Sequence, residues 1–428
     1  MTTVTHHSAP EAATDALETT VITSWKAPVS FAVITVLAFV LFVLNGRTGT
    51  SQFRLTEDKN AIQLAPIDLP TVATCVLLTI LLAGITVVSV FLVRARRKVP
   101  LWLVAIFGFA FLVAFLTWAG AGASIPVYGL LLGTVALSAP LIFGAMGGVI
   151  SERSGVVNIA IEGQMLAGAF VSALVASITR NPFAGLVGAM IAGMLVSFVL
   201  AAFAIKYLVD QIIVGVVLNV LVTGLTSFLY STVMTSNPQM LNSPPRFKPI
   251  NIPLLSEIPI IGPLLFQQTI IIYIMYVTVA VIWFALYRTR WGLRVRAVGE
   301  HPKAADTVGI NVARTRFWNV SLAGAVAGLG GAYFTLGSVG AFNKEMTAGA
   351  GFIALAAVIF GQWDPIKATL AALLFGFATN LQNVLGIIGS PVPSEFMLML
   401  PYVITILAVA GFVGKSRAPA ADGKAYIK

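Results

Sequence analysis

Long apolar runs separated by short polar breaks fill nearly the whole chain. They cover 27–44, 69–93, 101–119, 127–150, 159–178, 183–205, 211–233, 269–287, 317–337, 366–388 and 394–413. A helix of about 20 mainly apolar residues crosses a bilayer, so each run predicts a spanning helix. A further run, 349–360, is short and rich in Gly and Ala. The expected architecture is an all-α, polytopic transmembrane bundle. It has eleven segments, or twelve if the short run crosses, and one segment is a candidate for being discontinuous.

The breaks supply an orientation. Arg94, Arg96, Arg97 and Lys98 follow the second run, and 288–316 carries seven basic residues against Glu300 and Asp306, a net +5. Basic loops are retained on the cytoplasmic side. With twelve segments both termini are then cytoplasmic, and 45–68, 121–126, 179–182, 234–268 and 338–348 lie outside. The stretch 234–268 contains seven prolines and only Arg246, Lys248 and Glu257 as charges, which predicts an extended or turn-rich cover. Residues 1–26 are polar and contain no apolar stretch of a secretory signal; they read as a disordered cytoplasmic tail.

Composition agrees with a membrane protein. Of 428 residues 58% are hydrophobic and 10% charged, against roughly 25% charged in soluble domains. The net charge of +10 sits in short interspan breaks and the C-terminal tail, so it reflects topology and not nucleic-acid binding. The single cysteine, Cys75, lies in an apolar run, and the three histidines have no metal-ligand spacing. Near the C-terminus, Gly411 and Gly414 precede Lys415-Ser416, but two residues separate the glycines where a phosphate loop needs four. Ionisable groups inside the runs are scarce, so neither an intramembrane enzyme nor an ion-coupled carrier is favoured.

The break 151–163, SERSGVVNIAIEG, is more polar than a hairpin turn requires. It predicts a discontinuous segment whose helix end faces a cavity, as at transporter binding sites. The competing reading is a cytoplasmic turn with Asn158 as a helix cap. On a helix beginning near Asn158, Asn158 and Glu162 share a face. These two, with Asn219, Asn380 and Asn383, are the candidate lining of a path for a neutral solute. For any one of them the structural role is the commoner one, since interhelical hydrogen bonds from Asn are frequent in membranes. Gly324 and Gly328 have the spacing of a tight helix interface.

Within 288–316, residues 294–307 suit a helix interrupted at Gly299 and at His301-Pro302, because the residue before proline is pushed out of the helical region. A short helix restarts at 303–307. A broken, charged helix pair between spans is a docking surface for a soluble partner; the alternative is an ordinary connector.

Three ordered motifs carry a resemblance. They are 151–163, then 296–305 (RAVGEHPKAA) followed by Gly309-Ile310, then 346–365 (MTAGAGFIALAAVIFGQWDP). Together they resemble the permease subunits of bacterial ABC importers for nucleosides and simple sugars, the branched-chain amino acid/ribose-type permeases, and most closely the second of two permeases that pair as a heterodimer. The likeness covers about 128–413. It implies a bacterial cell-membrane protein without ATPase activity of its own, a cytoplasmic ATPase partner that binds ATP and Mg, a second permease, and an extracytoplasmic solute-binding lipoprotein. It also places the coupling surface on Arg294, Arg296, Glu300, Pro302, Lys303, Ala304 and Ala305. The resulting division is a tail 1–26, a three-span extension 27–120 about which the resemblance says nothing, a permease core 127–413 and a basic cytoplasmic tail 414–428. The reading from another class is a self-sufficient secondary carrier or channel.

Overall fold

The computed structural model describes residues 24–57, 62–393, 395–399 and 417–427. Most of the expected N-terminal tail and of the predicted last span 394–413, with Lys415 and Ser416, lies outside the described residues. The chain forms two compact units. One holds residues up to Thr48 together with Thr71–Trp118, and the other holds Gly49–Pro70 together with the chain from Ala119 onward.

In the first unit, α1 (Lys26–Ala38) runs on as a π-helical turn to Leu44 and packs with α2 (Thr71–Arg94) and α3 (Leu101–Ala119). Aromatic rings fill the seam. Phe31 stacks on Phe107 at 4.1 Å between centroids, and Phe42 sits among Phe111, Phe115 and Trp118. The Thr35 and Thr86 hydroxyls, 3.0 Å apart, add an interhelical hydrogen bond. Cys75 is buried, with its thiol directed at the Ala114 carbonyl.

The second unit begins with a departure from the all-helical expectation. β1 (Thr50–Arg54) pairs antiparallel with β2 (Ile67–Pro70) and parallel with β3 (Ser124–Pro126). The stretches 45–68 and 121–126, expected to be loops, thus contain a three-stranded sheet that buries Phe53 and Ile125. Segments this short carry too little periodicity to reveal pairing partners far apart in sequence.

The main helices of this unit are α4 (Val127–Arg153), α5 (Ile161–Thr179), α6 (Pro182–Ala201, continuing to Lys206) and α7 (Gln211–Thr232). The proline-rich stretch that follows holds two short helices, α8 (Pro238–Leu241) and α9 (Ile261–Phe266), and a two-stranded pairing of β4 (Ile250–Asn251) with β5 (Gln267–Gln268). Next come α10 (Ile270–Arg288), α11 (Arg290–Glu300), α12 (Pro302–Thr307), α13 (Val312–Ala332, continuing to Val339), α14 (Ala350–Phe360) and α15 (Pro365–Ile387).

α13 is the hub, enclosed by α4, α5 and α6. Its approach to α6 is backbone on backbone: a Cβ on Gly193 would stand 2.1 Å from the Gly324 carbonyl oxygen, and one on Gly328 would stand 2.2 Å from that of Ala189. Small residues give membrane helices this close van der Waals contact where lipid removes the hydrophobic drive.

Ten helices among the described residues are long and apolar enough to cross a membrane. α14 is not one of them. Its eleven residues reach about 16 Å, half of a roughly 30 Å hydrocarbon core, which corrects the option that this run crosses by itself. α13 starts at Val312, five residues before the predicted span, and so draws Arg314 and Arg316 into the helix.

Candidate functional site

The three motifs meet at two junctions. The first lies at the end of α4, next to the α11–α12 hairpin, hereafter the basic end. Arg153 donates from Nε to the Trp363 carbonyl at 2.9 Å, and from Nη2 toward that of Gln362. The Trp363 indole N–H donates to Glu152 Oε2. Gln362 and Trp363 both have left-handed backbones, with φ of 55° and 56°, costly conformations for bulky residues that persist only where surroundings impose them. Glu152 and Arg153 supply that restraint, which explains why the two motifs belong together. Asp364 then caps α15 through the Ile366 and Lys367 N–H groups at 3.0 Å each, with Pro365 at the first helical position. Its other oxygen accepts from the Tyr287 hydroxyl of α10 at 2.8 Å.

Between α4 and α5 the chain is not helical over 154–160, yet Ser154, Val156, Asn158 and Ala160 are fully buried. Ile161 packs where side chains on Gly144 and Gly148 would be, so α5 starts roughly 10 Å up α4 from Arg153. The backbone between α4 and α5 is therefore irregular and buried. Irregular backbone inside a membrane protein must find internal partners, and the amides provide them. Asn219 of α7 accepts from the Gly163 N–H and donates to the Ile159 carbonyl, both at 2.8 Å. Gln211 accepts from the Val157 N–H at 2.8 Å. Asn158 and Gln164 form a reciprocal amide pair at 3.1 and 2.9 Å.

The second junction is deeper. Glu162 in the first turn of α5 reaches the start of α14. One carboxylate oxygen accepts from the Thr347 hydroxyl at 2.6 Å and the Gly349 N–H at 2.9 Å, and the other accepts from the Gly351 N–H at 2.6 Å. The first N–H groups of a helix lack intrahelical partners and attract negative charge; here a neighbouring helix delivers the carboxylate. Gly351 is required for the approach, since a Cβ there would lie 2.4 Å from the Glu162 backbone nitrogen. Two helix starts inside the bundle thus converge on one carboxylate.

The predicted path residues separate in this geometry. Asn158 and Glu162 do not share a helix face, because α5 starts at Ile161 and Asn158 belongs to the irregular stretch. Asn158, Glu162 and Asn219 converge on the start of α5. Asn380 is apart from them, on α15, donating to the Gly129 and Leu130 carbonyls of α4 at 3.2 and 2.6 Å. Asn383 is exposed. The sequence reading missed Gln164, Gln211 and Thr347. Gln164 follows the first motif directly and Thr347 lies inside the third, so both were within reach, whereas Gln211 reads only as the first residue of α7.

The hairpin has the predicted break at His301-Pro302. Gly299, however, does not interrupt it; it ends α11 against α4, where a Cβ would be 2.1 Å from the Arg153 carbonyl oxygen. Arg294, Glu300, Lys303 and Ala304 are exposed. Arg296 lies over the Tyr287 ring at 5.5 Å, and Pro302 is half-buried. Ala305 faces inward with Val298 and Val312, so it packs the hairpin and presents no docking surface.

The profile of the family described as "branched-chain amino acid transport system / permease component" matches residues 130–409. The guanosine ABC transporter permease protein NupQ of Bacillus subtilis is 44% identical over 308 residues, 69% of this chain and 95% of NupQ. The nucleoside ABC transporter permease protein NupC of Lactococcus lactis is 44% identical over 301 residues, 68% of this chain and 94% of NupC. A second Bacillus subtilis guanosine permease protein, NupP, is 25% identical over 299 residues, 68% of this chain and 85% of NupP. No solved structure matches. With well over half of its length inside the profile, and relatives matched nearly end to end, this chain belongs to the family of branched-chain amino acid transport system permease components.

Proposed function

We propose that the chain is a permease subunit of an ATP-driven importer and carries nucleosides inward across the bacterial cell membrane. One observation carries the mechanical part. The hairpin abuts Arg153 through Gly299, Arg153 holds the turn after α14, and α14 is tied at its other end to Glu162. A push on the hairpin therefore has a packed route to the place where two helix starts meet inside the bundle. Half-helix starts near the midplane are where transporters of several folds bind solute, and amides and hydroxyls suit a neutral heterocycle with a ribose.

In this reading the basic end is cytoplasmic, and an ATPase that binds ATP and Mg docks on Arg294, Glu300, Lys303 and Ala304. A second permease completes the pair, as the two guanosine permease proteins of Bacillus subtilis suggest. A solute-binding lipoprotein delivers the nucleoside from outside. Glu162, with Thr347, borders the path, while Asn158 and Asn219 hold the broken segment that positions it. The test is uptake of labelled guanosine by cells with and without the gene, and with an ATPase disabled in its phosphate loop. Uptake that needs both genes is the expected result. Uptake that survives loss of the ATPase points to a self-sufficient carrier and overturns the assignment.

A further inference from the structure

Residues 418–427 return to the basic end and lie against α11 and α13. The Ala421 N–H donates to the Gly299 carbonyl at 2.9 Å, and the Ala420 N–H donates to Glu300 Oε2 at 3.1 Å. Arg316 of α13 donates from Nη1 to the Lys424 carbonyl at 2.8 Å and from Nη2 toward that of Ala421 at 3.4 Å. Tyr426 packs with Ala297 and Ile310 against Val298, Ala305 and Val312, the cluster that shapes the hairpin. A side chain on Gly423 would touch Val157 of the irregular segment. One short stretch therefore contacts α11, α13 and the segment between α4 and α5.

Arg316 shows that these contacts form a working element and not a loose end. It is 2% exposed, and the partners of its two Nη groups are carbonyls of the tail. A buried guanidinium without good partners is costly, so the tail is what makes that burial tolerable. Docking thus exchanges hydration of one cation for hydrogen bonds from its two Nη groups to carbonyls of the tail.

We infer that 418–427 is a strap that positions the hairpin against the irregular segment, so that displacement of α11–α12 reaches Val157 and, through the rest of that segment, Glu162 at the start of α5. This rests on the permease reading above. Without the strap, the hairpin keeps its contacts with Arg153 of α4 and with Gly155 at the start of the segment but loses the link to Val157.

The test uses the complete importer in proteoliposomes, with both permeases, ATPase and binding protein, and reads guanosine moved per ATP hydrolysed. Removing 418–428 is expected to leave stimulated ATP hydrolysis within two-fold of the parent while uptake falls ten-fold or more. Tyr426→Ala lowers the ratio three-fold or more, and Tyr426→Phe restores it. If the truncated complex does not assemble, the Tyr426 pair decides alone. A parent-like ratio in the truncated complex, or in Tyr426→Ala, overturns the strap; so does a parallel fall of hydrolysis and uptake, which indicates a purely structural tail. A parent complex that moves no nucleoside on ATP hydrolysis overturns the permease assignment, and the strap with it.

Discussion

The Glu162 carboxylate and the Gly351 N–H are 189 positions apart in sequence and 2.6 Å apart in space. This contact fixes the start of α14 to the start of α5. Hydrogen bonds to a charged partner contribute about 1.5–3 kcal/mol each, and Glu162 accepts three. Glu162→Ala is therefore expected to reduce uptake at least ten-fold at matched membrane abundance. Glu162→Gln, whose amide turns two donors toward existing donors, should do little better. Thr347→Val removes one bond and should have the mildest effect. Unchanged apparent affinity and rate in both Glu162 variants would remove the carboxylate from the path.

The seam between α6 and α13 gives a packing prediction. Gly328→Val places branched carbons against the Ala189 carbonyl, where even a Cβ has only 2.2 Å. Overpacking of this kind costs on the order of 3 kcal/mol, and folded yield in detergent should collapse. Gly224→Ala, with open space around it, is the control and should behave as the parent in size-exclusion and denaturation profiles.

Adjacent alanines in α12 should respond oppositely. Ala304 is exposed, so Ala304→Trp is expected to leave the fold intact while separating ATP hydrolysis from uptake. Ala305 is 3% exposed within the hairpin cluster; Ala305→Trp should instead destabilise the hairpin and raise its protease sensitivity. A cysteine at Lys303 should react with an impermeant maleimide only in inside-out vesicles. Reaction in intact cells would place the hairpin outside and refute the orientation.

Part of this architecture was legible in the sequence. Spans announce themselves by apolar length, and the break at His301-Pro302 follows from local sterics. The irregular segment was visible because charges and amides are conspicuous between two apolar runs. What Asn158, Glu162 and Asn219 do there was not visible, because their partners Gln164, Thr347, Gly351 and the Ile159 carbonyl are set by packing across the bundle. Arg316 was not legible for the same reason: a basic residue at the edge of a loop gives no sign that the returning tail and Gly155 cover it.

The strap should be pH-dependent. Burial raises the Asp422 carboxyl from its ordinary 3.8 to about 7, against the opposing pull of a Gly423 backbone hydrogen bond and of Arg316. Titratable Glu152 of α4 and charged Arg316 of α13 are the groups facing it. A raised value in the docked state means that docking binds the proton more tightly than release does. The resulting stabilisation is complete below 3.8, the value of a released tail, and is lost as pH rises through about 7. Trypsin cleavage after Lys424 should be slower at pH 6 than at pH 8, relative to a reference site, and Asp422→Asn should reduce that difference. Faster cleavage at the lower pH would contradict the assignment.

The enclosure of α13 bears on how the chain is made. Of the ten described spans, Val312–Val339 is the most enclosed and the least apolar, whereas Lys26–Leu44 and Thr71–Arg94 are among the most apolar and turn most of their surface outward. Membrane insertion during synthesis judges each segment largely by its own hydrophobicity. A helix built of Gly and Ala to fit between neighbours is therefore a weak candidate when it leaves the ribosome. It emerges after α4, α5 and α6, the helices that enclose it, so the bundle's early half serves as the site into which its late centre is received.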